Sequence, residues 1–246
     1  MGDPTQEQDE FENAAPLQAE AVRLPERHVA IDRRKALIAG ATLWCGFALV
    51  AWLFVTGRME AFDRFGLMLY RTGDDLAFGG SDAMFEAVRD VTALGGTFLC
   101  NVFAIGAVAA MLLLSLRREA AIYALTVVTG ALANTGVKTL VGRERPEIVP
   151  PLIEANGWSF PSGHSFNSAV VYIGMGLAFA ALSRRQAVRY TVIGGALAIS
   201  AMIAWSRVLL GVHFPSDVLA GWLGGAGWAF LAAALLYKPV KAAEPS

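Results

Sequence analysis

The sequence predicts an all-α, polytopic membrane protein, with six transmembrane helices and an amphipathic helix in the first outer loop. Three observations predict it. Hydrophobic residues make up 55% of the chain and charged residues 17%, against about 45–50% and about 25% in soluble domains. The apolar residues fall into six runs, each close to the ~20 residues that cross a bilayer as a helix. Lys and Arg collect at the flanks and short turns of alternate runs, as the positive-inside rule describes. A net charge of -1 gives no case for nucleic-acid binding. Two cysteines, Cys45 and Cys100, cannot form a disulfide framework, and both read as small buried thiols inside apolar runs.

The elements follow in order. Residues 1–35 are polar and mostly acidic up to Arg33-Arg34-Lys35, lack the pattern of a secretory signal, and read as a solvated, disordered tail with at most a weak helix over 17–29. The membrane unit spans 36–238, and 239–246 form a C-terminal tail. The six runs are Ala36–Val55, Val91–Leu116, Ala120–Val141, Ser165–Leu182, Tyr190–Leu210 and Phe214–Tyr237. Lipid cannot satisfy their backbone polar groups, so they are expected as helices. Arg33-Arg34-Lys35, Arg117-Arg118, Arg184-Arg185-Arg189 and Lys238 with Lys241 mark one side as cytoplasmic, with both termini on it. The long first outer loop, Gly57–Asp90, carries Phe62, Phe65, Met68 and Leu69 at helical spacing, with Asp63 and Arg64 off that face. It reads as an amphipathic helix at the membrane surface, with a substrate gate as the sharper alternative.

The chemistry lies at the ends of these runs. The chain has three histidines. His28 lies in the tail, whereas His164 and His213 adjoin apolar helices, where ionisable groups are costly and usually functional. Lys138 is followed after six residues by Arg145-Pro146 at the end of the third run. Pro161-Ser162-Gly163-His164 opens the fourth. Ser206-Arg207, then five residues, His213, three residues and Asp217 join the fifth to the sixth. Runs three and five end where four and six begin, so all three segments meet at one membrane face. The charge bias makes that face extracytoplasmic.

The group assembled there is a phosphate cradle. Lys138, Arg145 and Arg207 are three fixed cations, and guanidinium forks with an ammonium suit a tetrahedral oxyanion. Pro161 and Pro215 sit near helix starts, whose free N–H groups favour anions. Gly163 lets backbone approach a phosphate oxygen. Two imidazoles in such a cradle suggest displacement at phosphorus. Asp217, four residues after His213, would take its second N–H and fix the tautomer, making His213 the nucleophile. His164 has no sequence-near carboxylate and reads as the general acid. Asp217 is the single acid of the group, which argues against a two-metal site, and no metal or other cofactor is expected.

At these segments, KTLVGRERP, PSGH and SRVLLGVHFPSD, the sequence resembles the type 2 phosphatidic acid phosphatase superfamily, and its order and layout look like the bacterial six-span membrane members. RDVTALGG, opening the second run, is similar to a weaker family feature. The resemblance implies metal-independent hydrolysis through a phosphohistidine, in a bacterial plasma membrane. It implies that Lys138, Arg145, Arg207, Ser162 and Gly163 bind phosphate, and that His213, His164 and Asp217 act as nucleophile, acid and support. It implies a lipid phosphate substrate such as phosphatidic acid, phosphatidylglycerophosphate or an isoprenyl diphosphate (undecaprenyl diphosphate among them). Ser206 fits the pattern and reads as a structural hydroxyl; Arg143 and Glu144 lie between motif positions and read as solvated loop charges, with substrate contact as the alternative.

Four other readings compete. Basic residues at span ends can anchor lipid headgroups, but anchoring does not require PSGH or the His213–Asp217 spacing. Vanadate-dependent haloperoxidases resemble the same motifs, but six membrane runs speak against a soluble enzyme. A lipid phosphotransferase would share the intermediate and differ in its acceptor. A non-catalytic lipid-phosphate binder or transporter would not need the nucleophile–acid pair.

Overall fold

The computed structural model describes residues 32–236. The expectations for most of the N-terminal tail, His28, the helix over 17–29, the end of the sixth run at Tyr237, Lys238, Lys241 and the C-terminal tail lie outside the described residues. Helix α1 (Arg33–Val55) is capped by Asp32, whose carboxylate accepts from the Arg34 and Lys35 amides at 3.0 and 3.2 Å. The segment expected as the first outer loop follows as α2 (Glu60–Met68), a small antiparallel hairpin of β1 (Arg71–Thr72) and β2 (Ala77–Phe78), and α3 (Asp82–Leu94). Then come α4 (Thr97–Leu113) and α5 (Arg117–Val141). The next segment is α6 (Gly163–Ser168), a π turn (Ala169–Ile173) and α7 (Gly174–Ala180). Helices α8 (Gln186–Leu209) and α9 (Pro215–Leu236) are the last of the described elements.

Among the described residues, α1, α5, α8 and α9 are the four helices long and apolar enough to cross a membrane; α3 and α4, which meet at 51°, together make a fifth candidate. Large apolar side chains stand outward on these helices, Leu113 and Leu140 at 87% exposure. Such a surface belongs in lipid, and the protein is an integral membrane protein. Helix α9 is the hub: 61% of its most apolar window is buried, against 17% for α1.

Two expected runs take a different form. The second does not begin at Val91, because residues 91–94 finish α3 and the chain bends at Gly95-Gly96. The bend has a packing cause. A Cβ on Gly95 would collide with Ile203 and stand 3.3 Å from His164 Cδ2, and the Leu94 carbonyl, freed from the helix, accepts from Tyr172 Oη at 2.8 Å. The fourth run is not one regular helix, because a π turn widens its middle. Tyr123 Oη donates to the Val171 carbonyl within that turn at 3.0 Å.

The amphipathic helix expected in the first outer loop is present as α2, with Phe62 and Phe65 outward and Asp63 on the other side. Phe65 and Leu69 are exposed at 66% and 48%, and Asp63 is buried at 2%. The inward pull comes from ion pairing: an arginine and a helix N-terminus await Asp63, whereas the rings can face lipid. Cys100 is buried as expected, while Cys45 is exposed on α1.

Candidate active site

The site lies where the ends of α5 and α8 meet the starts of α6 and α9. Helix α5 ends at Gly142, whose φ of +60 suits a glycine and whose N–H donates to the Lys138 carbonyl at 3.0 Å. That turn sends the 143–162 loop over the bundle. Lys138, on the last turn of α5, donates to the Trp158 carbonyl at 2.6 Å and reaches the Ser159 carbonyl at 3.5 Å. Gly163 lies close by; a Cβ there would stand 3.6 Å from Lys138 Cε.

The loop delivers Arg145. Its guanidinium is pinned by three carbonyls: Nε donates to Gly157 at 3.1 Å, Nη1 to Val212 at 2.7 Å and Nη2 to Asn156 at 2.8 Å. Nη1 also stands 3.1 Å from His213 Nε2. A fork held this way has its orientation fixed before an anion arrives. A cavity of about 1120 Å³ opens beside it, with Arg145, Leu152, Trp158 and Val212 in its lining.

The sequence of α9 explains how Asp217 is placed. Pro215 takes the first helical position, and the Asp217 carboxylate reaches back to the Phe214 N–H at 3.0 Å. This is the reciprocal half of a capping box. The carboxylate is fully buried and the His213 ring is 2% exposed. Asp217 Oδ2 stands 3.5 Å from His213 Nδ1, which is long for a direct hydrogen bond. The Ser159 hydroxyl closes the gap, donating to Asp217 Oδ2 at 2.5 Å and lying 3.1 Å from Nδ1. With its own proton on Asp217, Ser159 accepts from Nδ1–H and leaves Nε2 bare. The expected direct contact is therefore replaced by a relay through Ser159.

Burial holds the His213 imidazole down to about 4; Asp217 opposes this, and the Arg145 and Arg207 charges add to it. Burial likewise lowers Arg145, with Asp217 opposing.

His164 is the second residue of α6, whose N-cap is Ser162. The Ser162 N–H donates to the Asp217 backbone carbonyl at 3.0 Å, tying the two helix starts together. Close approach of α6 and α9 requires glycine, since a Cβ on Gly221 would stand 2.7 Å from the Ser162 carbonyl oxygen. His164 feels the charges of Arg207, His213, Arg145 and Lys138. Arg207 is 4% exposed; its Nη1 donates to Thr92 Oγ1 at 2.9 Å, and its Nε has no hydrogen-bond partner among the described residues. Thr92 belongs to RDVTALGG, so that segment braces the cation. Ser206 donates to the Ile203 carbonyl of its own helix at 2.7 Å.

The fold thus gathers Lys138, Arg145, Ser162, Gly163, His164, Arg207, His213 and Asp217. It also recruits residues that sequence reasoning missed. Ser159 carried one cue, its place two residues before PSGH. Arg143 is not a solvated charge: Nη1 donates to Asp217 Oδ1 at 2.6 Å and to Ser216 Oγ at 2.8 Å, and Nη2 donates to Asp63 Oδ2 at 2.7 Å. Glu144 is exposed, in keeping with a loop charge.

The chain is similar to known proteins. Phosphatidylglycerophosphatase B of Bacillus subtilis is 39% identical over 99 residues, covering 38% of this chain and 46% of that protein. Lipid A 1-phosphatase of Rhizobium etli is 34% identical over 125 residues, covering 47% and 49%. The matches thus span about half the length of these curated relatives. A crystal structure of a transmembrane PAP2 type phosphatidylglycerolphosphate phosphatase from Bacillus subtilis superposes with a TM-score of 0.69 at 26% identity, covering 79% of this chain and 94% of that one. The PAP2 superfamily profile matches residues 119–241, which include every site segment from Lys138 to Asp217. With half its length matched by that profile and most of it by the fold, the chain belongs to the PAP2 superfamily.

Proposed function

We propose that the protein is a membrane lipid phosphatase that works through a phosphohistidine. One observation carries the reading: Nε2 of His213 stands 3.1 Å from the fixed fork of Arg145, while Nδ1 is linked through Ser159 to Asp217. A phosphoryl group on Arg145, Lys138 and Arg207 lies against Nε2. Nε2 attacks phosphorus as the P–O bond to the lipid breaks, and His164 donates a proton to the leaving oxygen. Water then attacks phosphorus and gives its proton to His164; the P–Nε2 bond breaks, its electron pair returns to His213, and inorganic phosphate leaves. Asp217 offsets the positive charge on the His213 ring, and the three cations stabilise charge on the equatorial oxygens.

The substrate class is a lipid mono- or diphosphate. The names of the relatives favour phosphatidylglycerophosphate or a lipid A phosphate, and phosphatidic acid and isoprenyl diphosphates fit the same cradle. The membrane unit is read as residues 36–238 with six crossings, the α6–α7 segment being one. The lysine and arginine bias supports a bacterial plasma membrane protein with the site on the extracytoplasmic face. The test is phosphate release from a panel of these lipids in detergent with EDTA present. Turnover with acid-labile phosphate on His213 is expected, and loss of turnover restored by a divalent metal overturns the mechanism.

A further inference from the structure

The first outer loop is tied into the site by one buried ion-pair chain. Asp63 sits on α2 at 2% exposure. Its Oδ1 accepts the Ser216 N–H at 2.8 Å, and its Oδ2 accepts the Ser216 hydroxyl at 2.7 Å. It thereby caps the start of α9 from outside that helix. The same carboxylate holds one end of the Arg143 fork, and Asp217 holds the other, at 2.7 and 2.6 Å. The guanidinium lies between the Phe54 and Phe214 rings, 4.3 and 3.9 Å from their centroids. Gly66 of α2 packs on Pro215 so closely that a Cβ there would collide with the ring. Two carboxylates on separate elements and a stacked fork leave Arg143 a single orientation.

We infer that Asp63 and Arg143 are positioning residues of the reaction, through which the outer-loop helix α2 fixes the carboxylate that steers His213. The inference rests on the reading of His213 as nucleophile. Neither residue reaches the phosphate cradle. Arg143 occupies Oδ1 of Asp217, leaving Oδ2 for Ser159 and the Phe214 amide. The geometry therefore divides the carboxylate: one oxygen anchors it and the other orients the imidazole. Asp63 acts one step further out, by holding Arg143.

The charge consequence has a definite sign. His213 is faced by Asp217 from α9, by Arg145 from the 143–162 loop and by Arg207 from α8, and it is coupled to His164 on α6. Arg143 offsets part of the Asp217 charge. Removing Arg143 leaves that charge uncompensated, favours protonated His213, and moves the acid limb of activity to higher pH.

The experiment uses the full chain in detergent, with dioleoyl phosphatidic acid as substrate and EDTA present. Arg143→Gln, Arg143→Lys, Asp63→Asn and the Asp63→Asn/Arg143→Gln pair are compared by pH–rate profile and thermal midpoint. Arg143→Gln is expected to lower kcat about tenfold or more, a typical loss for an orienting partner, with little change in KM and a raised acid limb. Arg143→Lys should restore the limb more than kcat, because it returns the charge without the fork. Asp63→Asn should lower kcat less, and the double variant should be no worse than Arg143→Gln. A lowered midpoint with unchanged kcat and pH profile, or additive losses in the double variant, overturns the inference. Should Arg143→Gln not fold, Arg143→Lys and Asp63→Asn decide by the same readouts. Turnover by His213→Ala marks failure of the underlying reading instead.

Discussion

Nη1 of Arg145 lies 3.1 Å from Nε2 of His213, so the anion-binding fork and the nitrogen expected to attack phosphorus share one side of the ring. The opposite side of the ring is closed by Ser159 and Asp217. Attack and orientation are thus separated onto the two imidazole nitrogens, which sets the terms for the predictions below.

The first concerns pH. A nucleophilic imidazole must be neutral, and burial holds His213 protonation down to about 4. The group is lowered relative to its ordinary value near ~6.5, so activity persists as pH falls through that value and is lost only as pH approaches 4. A profile of kcat/KM against pH should show its acid limb well below 6. A limb at the ordinary histidine value would count against a buried, neutral His213.

The second concerns Ser159. Replacing it with Ala removes the acceptor nearest Nδ1 and one of the donors to Asp217. Ser159→Ala should lower kcat roughly ten- to hundredfold, as loss of an orienting partner commonly does, with a smaller effect on KM. Asp217→Asn should cost more, because it also removes the charge that stabilises the imidazolium. Steady-state kinetics of the two variants on one lipid phosphate give the comparison, and an unchanged kcat in Ser159→Ala sinks the relay.

The third concerns packing. A Cβ on Gly225 of α9 would collide with the Phe166 carbonyl oxygen, a backbone atom that cannot move without shifting α6. Gly225→Ala should lower the thermal midpoint in detergent, in line with the about 1–3 kcal/mol usual for overpacking. It should also reduce turnover, since α6 carries His164. Gly194→Ala on α8 is the control, because its Cβ would meet nothing within 4 Å, and alanine favours the helix. Equal midpoints for the two variants would overturn the close approach of α6 and α9.

Much of this was legible from the chain. Apolar runs of bilayer length must become helices, because lipid offers the backbone no partners. Their order then forces alternate ends together, so Lys138, Arg145, His164, Arg207, His213 and Asp217 were bound to converge once the runs crossed. What spacing could not supply was anything set by contacts between distant segments. Gly95-Gly96 reads as the inside of a run that starts at Val91 until Ile203 and His164 are seen to press on it. Arg143 reads as a solvated charge until Asp63, 80 residues earlier, is found beside it. The helical periodicity of α2 showed which residues share its apolar face, but not that Asp63 on the other side meets Arg143 and the start of α9. Sequence alone determined the class of chemistry and placed its residues at the ends of neighbouring runs, because hydrophobic length and residue type are local properties. Only the tertiary structure decided how Asp217 reaches His213 and what holds Asp217, because hydrogen-bond partners across a bundle depend on how closely its helices approach.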